Sequence, residues 1–402
     1  MKRKKILVFG SLIREQGGQL TTGLSTVIWH ISKHLSDNKN LKVFLFATDF
    51  YKSQKQVGKL EILGWNLKVT IFDILKHPYQ TIKFLSISFY MLIFFRLKFF
   101  RSFIYLLIFD RAIKNTKPDI IHIHGTNYIY FHYILKGKRI PIIITVHGIN
   151  GQDPNIKNFK FQRKIEKIIS NCSFEQFVFV STNLRDEWSK IYGLPKSKTN
   201  VIVNAFDSNI FCFEGSTIQR TQNKVRISTV ARIYPLKGQE RVIEAMSKLP
   251  NKEYFEYHII GNGDNEYVNM LKKRVENNDL NVYFHGERDS TTVASFLRST
   301  DYMILPSSSE GFGLAIIESI ACGTKVIVPS SLPICKEPGI LNLQNSIFIH
   351  DSSADSIKEV LYHLDVTKDI SYSKIEVSNS VKNLNWNNIA DKYYNIIYNF
   401  YH

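Results

Sequence analysis

Two glutamates enclose two glycines in the segment EGFGLAIIE, which runs from Glu310 to Glu318. The glycines, Gly311 and Gly313, leave backbone N–H groups accessible, and such groups at the start of a helix bind anions, most naturally phosphate. Carboxylates repel phosphate, but they accept hydrogen bonds from sugar hydroxyls beside it. This combination of residue types predicts a site for a nucleotide sugar, a ligand that carries both kinds of group.

The elements around this segment place its glycines at a strand-to-helix turn. An apolar run over residues 302–305 ends at Pro306 and predicts a short buried strand. Residues 314–322 predict an apolar helix that Gly323 closes. Glu318 then lies one helical turn beyond Leu314, on the same face. The alternative is an ordinary strand-turn-helix with surface glutamates.

A second segment carries two cations at a similar turn. Arg232 and Lys237 follow a predicted strand over residues 225–230 and precede a predicted helix over residues 239–248. Cations there can neutralise a diphosphate and stabilise the negative charge that develops as it leaves. A solvated pair of charges is the alternative.

Length and element order indicate two α/β domains. The chain has 402 residues, more than one typical core needs. Strand-like and helical runs alternate throughout, which is typical of parallel sheets covered by helices. Histidines end two of the predicted strands of the first half: His122 and His124 in one, and His147 after the strand over residues 140–146. Ligands bind at such strand ends in open α/β sheets.

These segments together resemble the retaining glycosyltransferases of family 4, which have the GT-B fold. The resemblance implies two Rossmann-like domains whose parallel sheets face each other across a cleft. It implies an acceptor-binding domain over residues 1–205, on which a C-terminal segment over 387–402 packs, and a nucleotide-sugar domain over 206–386. The sequence departs from the family pattern at the junction, where Ala205 and Phe206 replace the usual Gly and Val or Ile.

The resemblance also implies roles for the site residues. Arg232 and Lys237 would hold the diphosphate, Glu318 the ribose hydroxyls, and Glu310 the donor sugar and the charge at its anomeric carbon. His147 would hydrogen-bond the donor sugar or the acceptor hydroxyl. The further residues implied to bind the donor are Gly17, Gly18, Gly261, Gly263, Arg288, Gly311, Phe312, Gly313 and Leu314. His124, beside Gly125, is a better candidate than His122 for lining the cleft.

No cofactor and no metal are expected. No Asp-x-Asp element follows a strand in the manner of a metal-dependent donor site, so Arg232, Lys237 and helix N-termini would replace a divalent ion. The four cysteines, Cys172, Cys212, Cys322 and Cys335, lack the spacing of metal ligands and are expected to be free thiols in a reducing compartment. The sequence therefore predicts a cytoplasmic protein.

The net charge of +17 indicates an acidic partner. The sequence contains no recognisable nucleic-acid module, so binding of nucleic acid is not expected. Residues 84–109 combine many aromatic side chains with Arg96, Lys98 and Arg101, which suits a helix lying in the interface of an anionic membrane. A core helix or helix pair is the alternative, and the three cations make a single transmembrane span costly.

The function predicted from the sequence is transfer of a sugar, with retention, from a nucleotide sugar, preferably a UDP-sugar, to a glycan or lipid-linked acceptor. Cell-envelope polysaccharide synthesis at the inner face of the cytoplasmic membrane is the expected setting. The alternatives are a nucleotide-sugar epimerase or hydrolase on the same fold, a non-catalytic GT-B-like binding protein, and a polyanion-binding protein. The sequence leaves the sugar, the acceptor, the linkage and the oligomeric state open.

Overall fold

The structure, a computed structural model, describes residues 3–19, 22–125, 128–135, 140–152, 158–171, 175–364 and 372–400. It divides the chain into two compact units. The first unit comprises Met1–Asn204 together with Trp386–His402, and the second comprises Ala205–Asn385. Each unit contains one largely parallel sheet with helices packed around it.

The first unit is built on eight strands. These are β1 (Lys4–Gly10), β2 (Leu41–Ala47), β3 (Gln54–Val57), β4 (Leu60–Leu63), β5 (Ile120–His124), β6 (Ile142–Val146), β7 (Glu175–Phe179) and β8 (Thr199–Val201). The helices are α1 (Gly23–Asp37), α2 (Leu67–Lys76), α3 (Pro78–Phe95), α4 (Phe99–Thr116), α5 (Tyr128–Ile134), α6 (Phe159–Ser170) and α7 (Thr182–Tyr192), and α14 (Trp386–Tyr398) joins them from the C-terminus.

The order of strands in this sheet is β3-β4-β2-β1-β5-β6-β7-β8. Only the hairpin of β3 and β4 is antiparallel; the other strand pairs described are parallel. The strands that follow β1 in sequence, β2 to β4, therefore lie on one side of it, and β5 to β8 lie on the other side. Such a reversal opens a crevice at the carboxyl ends of the two strands, where α/β sheets bind ligands.

The second unit repeats this plan with six strands. They are β9 (Val225–Val230), β10 (Phe255–Ile260), β11 (Val282–Gly286), β12 (Tyr302–Ile304), β13 (Lys325–Pro329) and β14 (Ser346–Ile349). The helices are α8 (Gln239–Ser247), α9 (Asn265–Asn277), α10 (Ser290–Arg298), α11 (Leu314–Ala321), α12 (Ala354–His363) and α13 (Lys374–Asn379). All strand pairs here are parallel, in the order β11-β10-β9-β12-β13-β14, so the reversal lies between β9 and β12.

The prediction of parallel α/β sheets is confirmed, and its physical basis is visible in the burial of the strands. In β9, β10 and β13 almost every side chain is buried, because helices cover both faces of the sheet. Continuous apolar runs of this kind were the sequence signal for these strands. The short hairpin of β3 and β4 was not predicted, because its residues alternate weakly and half of them are polar.

Residues 84–109 belong to two helices, α3 and α4, which is the helix pair that the sequence left as the alternative. They do not form one helix, because Arg96 takes the left-handed conformation, with φ of 52°, and ends α3 before α4 begins. The later part of the segment belongs to the core: Leu106 and Phe109 of α4 are fully buried. The earlier part, in α3, exposes large apolar side chains. No helix in the described ranges is long and apolar enough to cross a membrane.

The C-terminal helix α14 packs on the first unit, against α1. The Trp386 indole stacks on the His30 ring, with centroids 5.1 Å apart and planes within 2°. Ile389, Tyr393 and Ile397 recur at helical spacing and are buried, so the amphipathic pattern of this segment faces the unit. These contacts join residues that lie far apart in the sequence, so the core of the first unit is completed only when α14 packs against α1.

We expect Ile389→Ala to lower the free energy of unfolding of the first unit by about 2–5 kcal/mol, because Ile389 is 1% exposed and its loss leaves a cavity. Urea denaturation followed by tryptophan fluorescence measures this change. Asn395→Ala, on the exposed face of the same helix, is the matched control and should change stability by less than about 0.5 kcal/mol. Equal effects of the two variants would contradict the assigned packing of α14.

Candidate active site

Lys237 and Glu310 meet at the reversal point of the second sheet. Lys237 follows β9 and Glu310 follows β12, and these neighbouring strands end at the same edge. The Lys237 Nζ lies 2.5 Å from the Glu310 Oε1. Both side chains are mostly buried, with 23% and 11% of their surface exposed. The structure thus brings together, as an ion pair, two residues that stand far apart in the sequence.

Backbone and side-chain hydrogen bonds hold the two loops that carry this pair. The Leu236 carbonyl accepts a hydrogen bond from the Ser308 backbone N–H at 2.8 Å and another from the Ser307 hydroxyl at 3.2 Å. Arg241, in the first turn of α8, donates to the Pro306 carbonyl at 2.6 Å. Lys237 and Glu310 are therefore placed by their neighbours in the chain and not only by each other.

Two glycines permit the close approach of these loops. Gly238 has φ of +81°, and a Cβ there would lie 2.6 Å from the Pro306 carbonyl oxygen. Gly313 has φ of +94° and is the N-cap of α11. Its conformation turns the chain so that Leu314 becomes the first residue of the helix, while Phe312 is buried beneath the turn. The turn predicted for Gly311 and Gly313 is present, with the N-terminus of α11 directly after it.

Gly261 and Gly263 hold the loop after β10 against the loop after β9. The Gly261 N–H donates to the Gly286 carbonyl at 2.9 Å, and a Cβ on Gly261 would lie 2.0 Å from the Ala231 carbonyl oxygen. Gly263 approaches Ile233 in the same way. Both glycines are thus required by packing between loops, and this packing accounts for them without a ligand.

Glu318 lies on the second turn of α11, and its carboxylate has no hydrogen-bond or ion-pair partner among the described residues. Burial alone raises the pKa of this carboxyl to about 7. Glu318 is partly buried, and a carboxylate that has lost much of its contact with water and has no donors is less stable in its charged form. Donors brought by a ligand would stabilise it, and two adjacent hydroxyls provide them.

The two arginines predicted for the site have different surroundings. Arg232 is exposed, with its guanidinium 5.4 Å from the centre of the Tyr234 ring, and its carbonyl accepts a hydrogen bond from the Gln239 side chain at 3.1 Å. It follows β9 and so lies at the reversal point. Arg288 is exposed and follows β11, two strands away from β9, so the structure does not bring it to the Lys237–Glu310 pair.

In the first unit, Gly17 and Gly18 form a tight turn after β1. Gly17 has φ of +110°, and a Cβ on Gly18 would lie 1.8 Å from the Leu12 carbonyl oxygen, so no larger residue fits there. The Asp49 carboxylate accepts hydrogen bonds from the backbone N–H groups of Leu12 at 2.9 Å and Gln19 at 3.4 Å. The turn is thus fastened to the end of β2, at the carboxyl edge of the sheet.

His147 and His124 form a hydrogen-bonded pair at the ends of β6 and β5. The His124 Nδ1 lies 3.0 Å from the His147 Nε2. Burial lowers the pKa of His147 to about 4, and burial together with the neighbouring histidines lowers the pKa of His124 well below its usual value. Both rings are therefore neutral near pH 7, and the pair can donate or accept a hydrogen bond without carrying charge.

A cavity of about 300 Å³ adjoins this histidine pair. It lies entirely within the first unit and is lined by Leu24, His124, Gly125, Ile144, Val146, His147, Gly148, Asn150, Ile169 and Trp188. His122 lies behind it: its Nε2 is 2.8 Å from the Thr145 hydroxyl, which in turn is 3.4 Å from the Tyr393 hydroxyl of α14. His124, and not His122, lines the cavity, as expected from its place at the end of the strand.

Comparison with known proteins identifies the family. The model described as Glycosyl transferases group 1 matches residues 216–364, and the model described as Glycosyltransferase Family 4 matches residues 21–209. The chain belongs to the group 1, family 4 glycosyltransferases. An uncharacterized glycosyltransferase of Methanocaldococcus jannaschii is 26% identical over 98% of this chain and 98% of its own length. An O-antigen biosynthesis glycosyltransferase of Escherichia coli is 28% identical over 54% of this chain and 63% of its own length.

Solved structures show that this glycosyltransferase has the GT-B fold. Sucrose-phosphate synthase from Thermosynechococcus elongatus superposes with a TM-score of 0.74 at 15% identity, covering 99% of both chains. Anabaena HepE in complex with UDP and glucose superposes with a TM-score of 0.67 at 15% identity, covering 99% of this chain and 100% of its own. At these identities the likeness establishes the architecture, and the roles of individual residues remain predictions.

Sequence reasoning missed two residues that position the site of this glycosyltransferase. Asp49 follows the predicted strand over residues 42–47, and Arg241 lies just inside the helix after Lys237. A signal for Asp49 was available, because carboxyl ends of parallel strands share one edge and the Gly17–Gly18 turn lies at that edge. For Arg241 no comparable signal exists, since a helical arginine is ordinarily solvated.

We expect stability to report the raised pKa of the partly buried Glu318 through its pH dependence. Between the ordinary pKa of 4.5 and the raised pKa of about 7, the native carboxyl keeps a proton that the unfolded chain has lost. The free energy of unfolding should therefore fall as pH rises through this window and level off above it. Glu318→Gln should remove that contribution to the decline, as measured by urea denaturation across the window without ligand.

Glu359→Gln, on the exposed side of α12, is the matched control and should keep the pH dependence of the wild type. Parallel stability curves for wild type and Glu318→Gln would show that the pKa of Glu318 is not raised.

Proposed function

We propose that the protein is a retaining glycosyltransferase that takes a sugar from a nucleotide-sugar donor bound at the reversal point of the second sheet. The observation that carries the proposal is the arrangement of Lys237, Glu310 and Glu318 around the N-terminus of α11. It combines one cation for phosphate with two carboxylates for hydroxyls, and the helix N-terminus adds backbone N–H groups.

The groups of such a donor correspond to these residues one by one. The diphosphate would lie at the N-terminus of α11, within reach of Lys237 and Arg232, whose charges offset the one that develops on the leaving group. The ribose hydroxyls would donate to Glu318 and so supply its missing partners. Glu310 would accept a hydrogen bond from the donor sugar, and the ion pair with Lys237 would orient that carboxylate.

The first unit would supply the groups that meet the transferred sugar and the acceptor. The neutral His147, held by His124, can hydrogen-bond a sugar hydroxyl without adding charge. Gly17 and Gly18, which carry no side chain, would let the backbone of this turn approach the diphosphate closely, because the turn lies at the carboxyl edge of its sheet beside the reversal point.

A UDP-sugar is the favoured donor. Anabaena HepE, which shares the fold, was solved with UDP and glucose, and the trehalose-6-phosphate synthase of Escherichia coli was solved with UDP-2-fluoro glucose. Retention of anomeric configuration and independence from a metal belong to the same proposal. Arg232 and Lys237 supply the positive charge that a divalent ion would otherwise bring. The departing phosphate would accept the acceptor's proton on the face that it leaves.

The acceptor is proposed to be a glycan or a lipid-linked glycan in cell-envelope polysaccharide synthesis. A named relative supports this setting: the Escherichia coli protein described above is an O-antigen biosynthesis glycosyltransferase. The reaction would then take place at the inner face of the cytoplasmic membrane, with the protein bound peripherally.

A thermal-shift titration with UDP, GDP, ADP, UDP-glucose, UDP-N-acetylglucosamine and GDP-mannose tests donor binding. A nucleotide present at about 100 times its dissociation constant should stabilise the protein by about 2.7 kcal/mol. Stabilisation by one nucleotide family identifies the base. If none of these ligands raises the melting temperature, the proposed donor site is wrong. That result would favour a non-catalytic GT-B-like binding protein or a polyanion-binding protein.

We expect Lys237→Ala to weaken nucleotide binding and to lower kcat by about 10²–10³-fold, because it removes a charge that stabilises the leaving group. Sugar transfer measured with the donor found by titration gives both quantities. The matched control is Lys248→Ala, which breaks an exposed ion pair with Glu244 in the same unit and should leave both unchanged. Near-normal turnover of Lys237→Ala would overturn the assignment.

Product analysis separates transfer from its alternatives. NMR of the product from an α-linked donor should show an α-linkage if configuration is retained, and a β-linked product would refute retention. Release of free sugar with no product, in the presence of candidate acceptors, would favour the hydrolase alternative.

A further inference from the structure

The exposed large apolar side chains of the first unit are concentrated on α2 and α3 in the described ranges. More than half of the large apolar side chains that are exposed in the described ranges lie between Leu67 and Phe100. They are Leu67, Ile71, Phe72, Leu75, Tyr79, Ile82, Leu85, Phe89, Tyr90, Leu92, Ile93, Phe94 and Phe100. Scattered apolar residues are normal on a protein surface, but a concentration of this size marks a binding surface.

Helix α2 has its apolar residues turned away from the protein. Leu67, Ile71 and Leu75 are spaced four residues apart and so lie on one face, and all three are exposed, Leu75 by 76%. Phe72 beside them is 61% exposed. Because amphipathic helices normally bury this face against their own core, α2 presents it to something outside the unit.

The inward side of α2 is fastened by polar contacts. Asp73 forms an ion pair with Arg111 of α4 at 2.6 Å, and the Thr81 hydroxyl of α3 donates to the Ile74 carbonyl at 3.2 Å. The Asn66 side chain caps the N-terminus of α2 by accepting from the Lys68 N–H at 2.9 Å. These contacts hold the helix in its place with the apolar face outward.

Helix α3 continues the surface. A stripe of residues at helical spacing is buried, and it includes Phe84, Met91 and Phe95. Helix α4 packs against α3, so this stripe has a partner within the unit. The remaining face of α3 carries exposed Ile82, Phe89 and further large side chains and has no such partner in the described ranges.

The charges around this surface have one sign. Lys68, Lys76, Lys83, Arg96 and Lys98 are all exposed. Asp73 is the only acidic residue between positions 67 and 100, and its charge is offset by Arg111. A face that combines aromatic and aliphatic side chains with cations and lacks free carboxylates is complementary to a bilayer with anionic headgroups.

We propose that the outward faces of α2 and α3, residues 67–95, form a docking surface for an anionic lipid bilayer. The apolar side chains enter the boundary between headgroups and acyl chains, and the cations contact lipid phosphates. A second copy of the chain is disfavoured as the occupant, because a symmetric contact would bring the cations on and beside this surface of each copy together. The inference rests on the peripheral membrane binding proposed above and names the surface responsible for it, but it does not require sugar transfer.

Vesicle co-sedimentation of the full-length protein tests the docking surface. We expect binding to vesicles of phosphatidylcholine mixed with phosphatidylglycerol, little binding to phosphatidylcholine alone, and a decrease at high salt. Phe72→Ser combined with Leu75→Ser should weaken binding at least about tenfold, because it removes two deeply inserted side chains. Lys68→Glu combined with Lys76→Glu should also weaken binding to the anionic vesicles, because it replaces two cations of the surface with carboxylates.

Matched controls come from exposed residues elsewhere. Leu343→Ser with Ile375→Ser removes two exposed apolar side chains of the second unit, and Lys160→Glu with Lys273→Glu gives the same change in net charge. Both controls should bind vesicles as the wild type does. Thermal melting and binding of UDP-glucose should be unchanged in all four variants. Binding of UDP-glucose therefore tests the donor site and vesicle binding tests the docking surface, so that a failure of one proposal can be told from a failure of the other.

Three results would overturn the proposal. The first is absence of vesicle binding by the wild type. The second is an equal loss of binding in the α2 variants and in their controls. The third is a concentration-dependent dimer, seen by sedimentation velocity, that dissociates in Phe72→Ser with Leu75→Ser; this would assign the surface to a second copy.

Discussion

The close approach of the loops after β9 and β12 is the constraint on which the candidate site depends. Parallel pairing of these strands brings their carboxyl ends together, and the reversal of strand order leaves no helix between them. Gly238 allows the backbones to meet, and the Leu236 carbonyl joins them through hydrogen bonds. Only then can Lys237 reach Glu310, so the chemistry of the site is a consequence of sheet topology.

Titratable groups whose pKa values are shifted by loss of contact with water recur in this protein where a ligand is proposed. The Glu318 carboxyl has a raised pKa, and the His124–His147 pair has lowered pKa values, all because burial disfavours charge. A protein core normally satisfies such groups or excludes them. Their placement at the carboxyl edges of two sheets fits the family to which the chain belongs, because polar groups of a bound ligand can satisfy them.

Residues 84–109 show that composition can indicate an apolar, basic segment but does not determine which of its side chains are exposed. The mixture of phenylalanines and cations over residues 84–109 indicated an interfacial helix. In the structure, however, apolar side chains of α4 in this segment, such as Leu106 and Phe109, are buried in the core. The exposed apolar side chains lie instead on α3 and on α2, a helix that sequence reasoning did not single out. Exposure depends on which face a neighbouring helix covers, and a periodic pattern alone does not say whether its apolar side is covered.

The sequence by itself determined most of the buried strands, the strand-to-helix turns and the family, because continuous apolar runs and glycines at fixed spacing are local signals. Glu310, Lys237 and His147 could be named for the same reason. Tertiary structure alone decided that Lys237 pairs with Glu310, that Asp49 fastens the Gly17–Gly18 turn, and that α2 faces outward. These contacts join residues distant in the chain, and their geometry is set by strand order and packing, which no local pattern encodes.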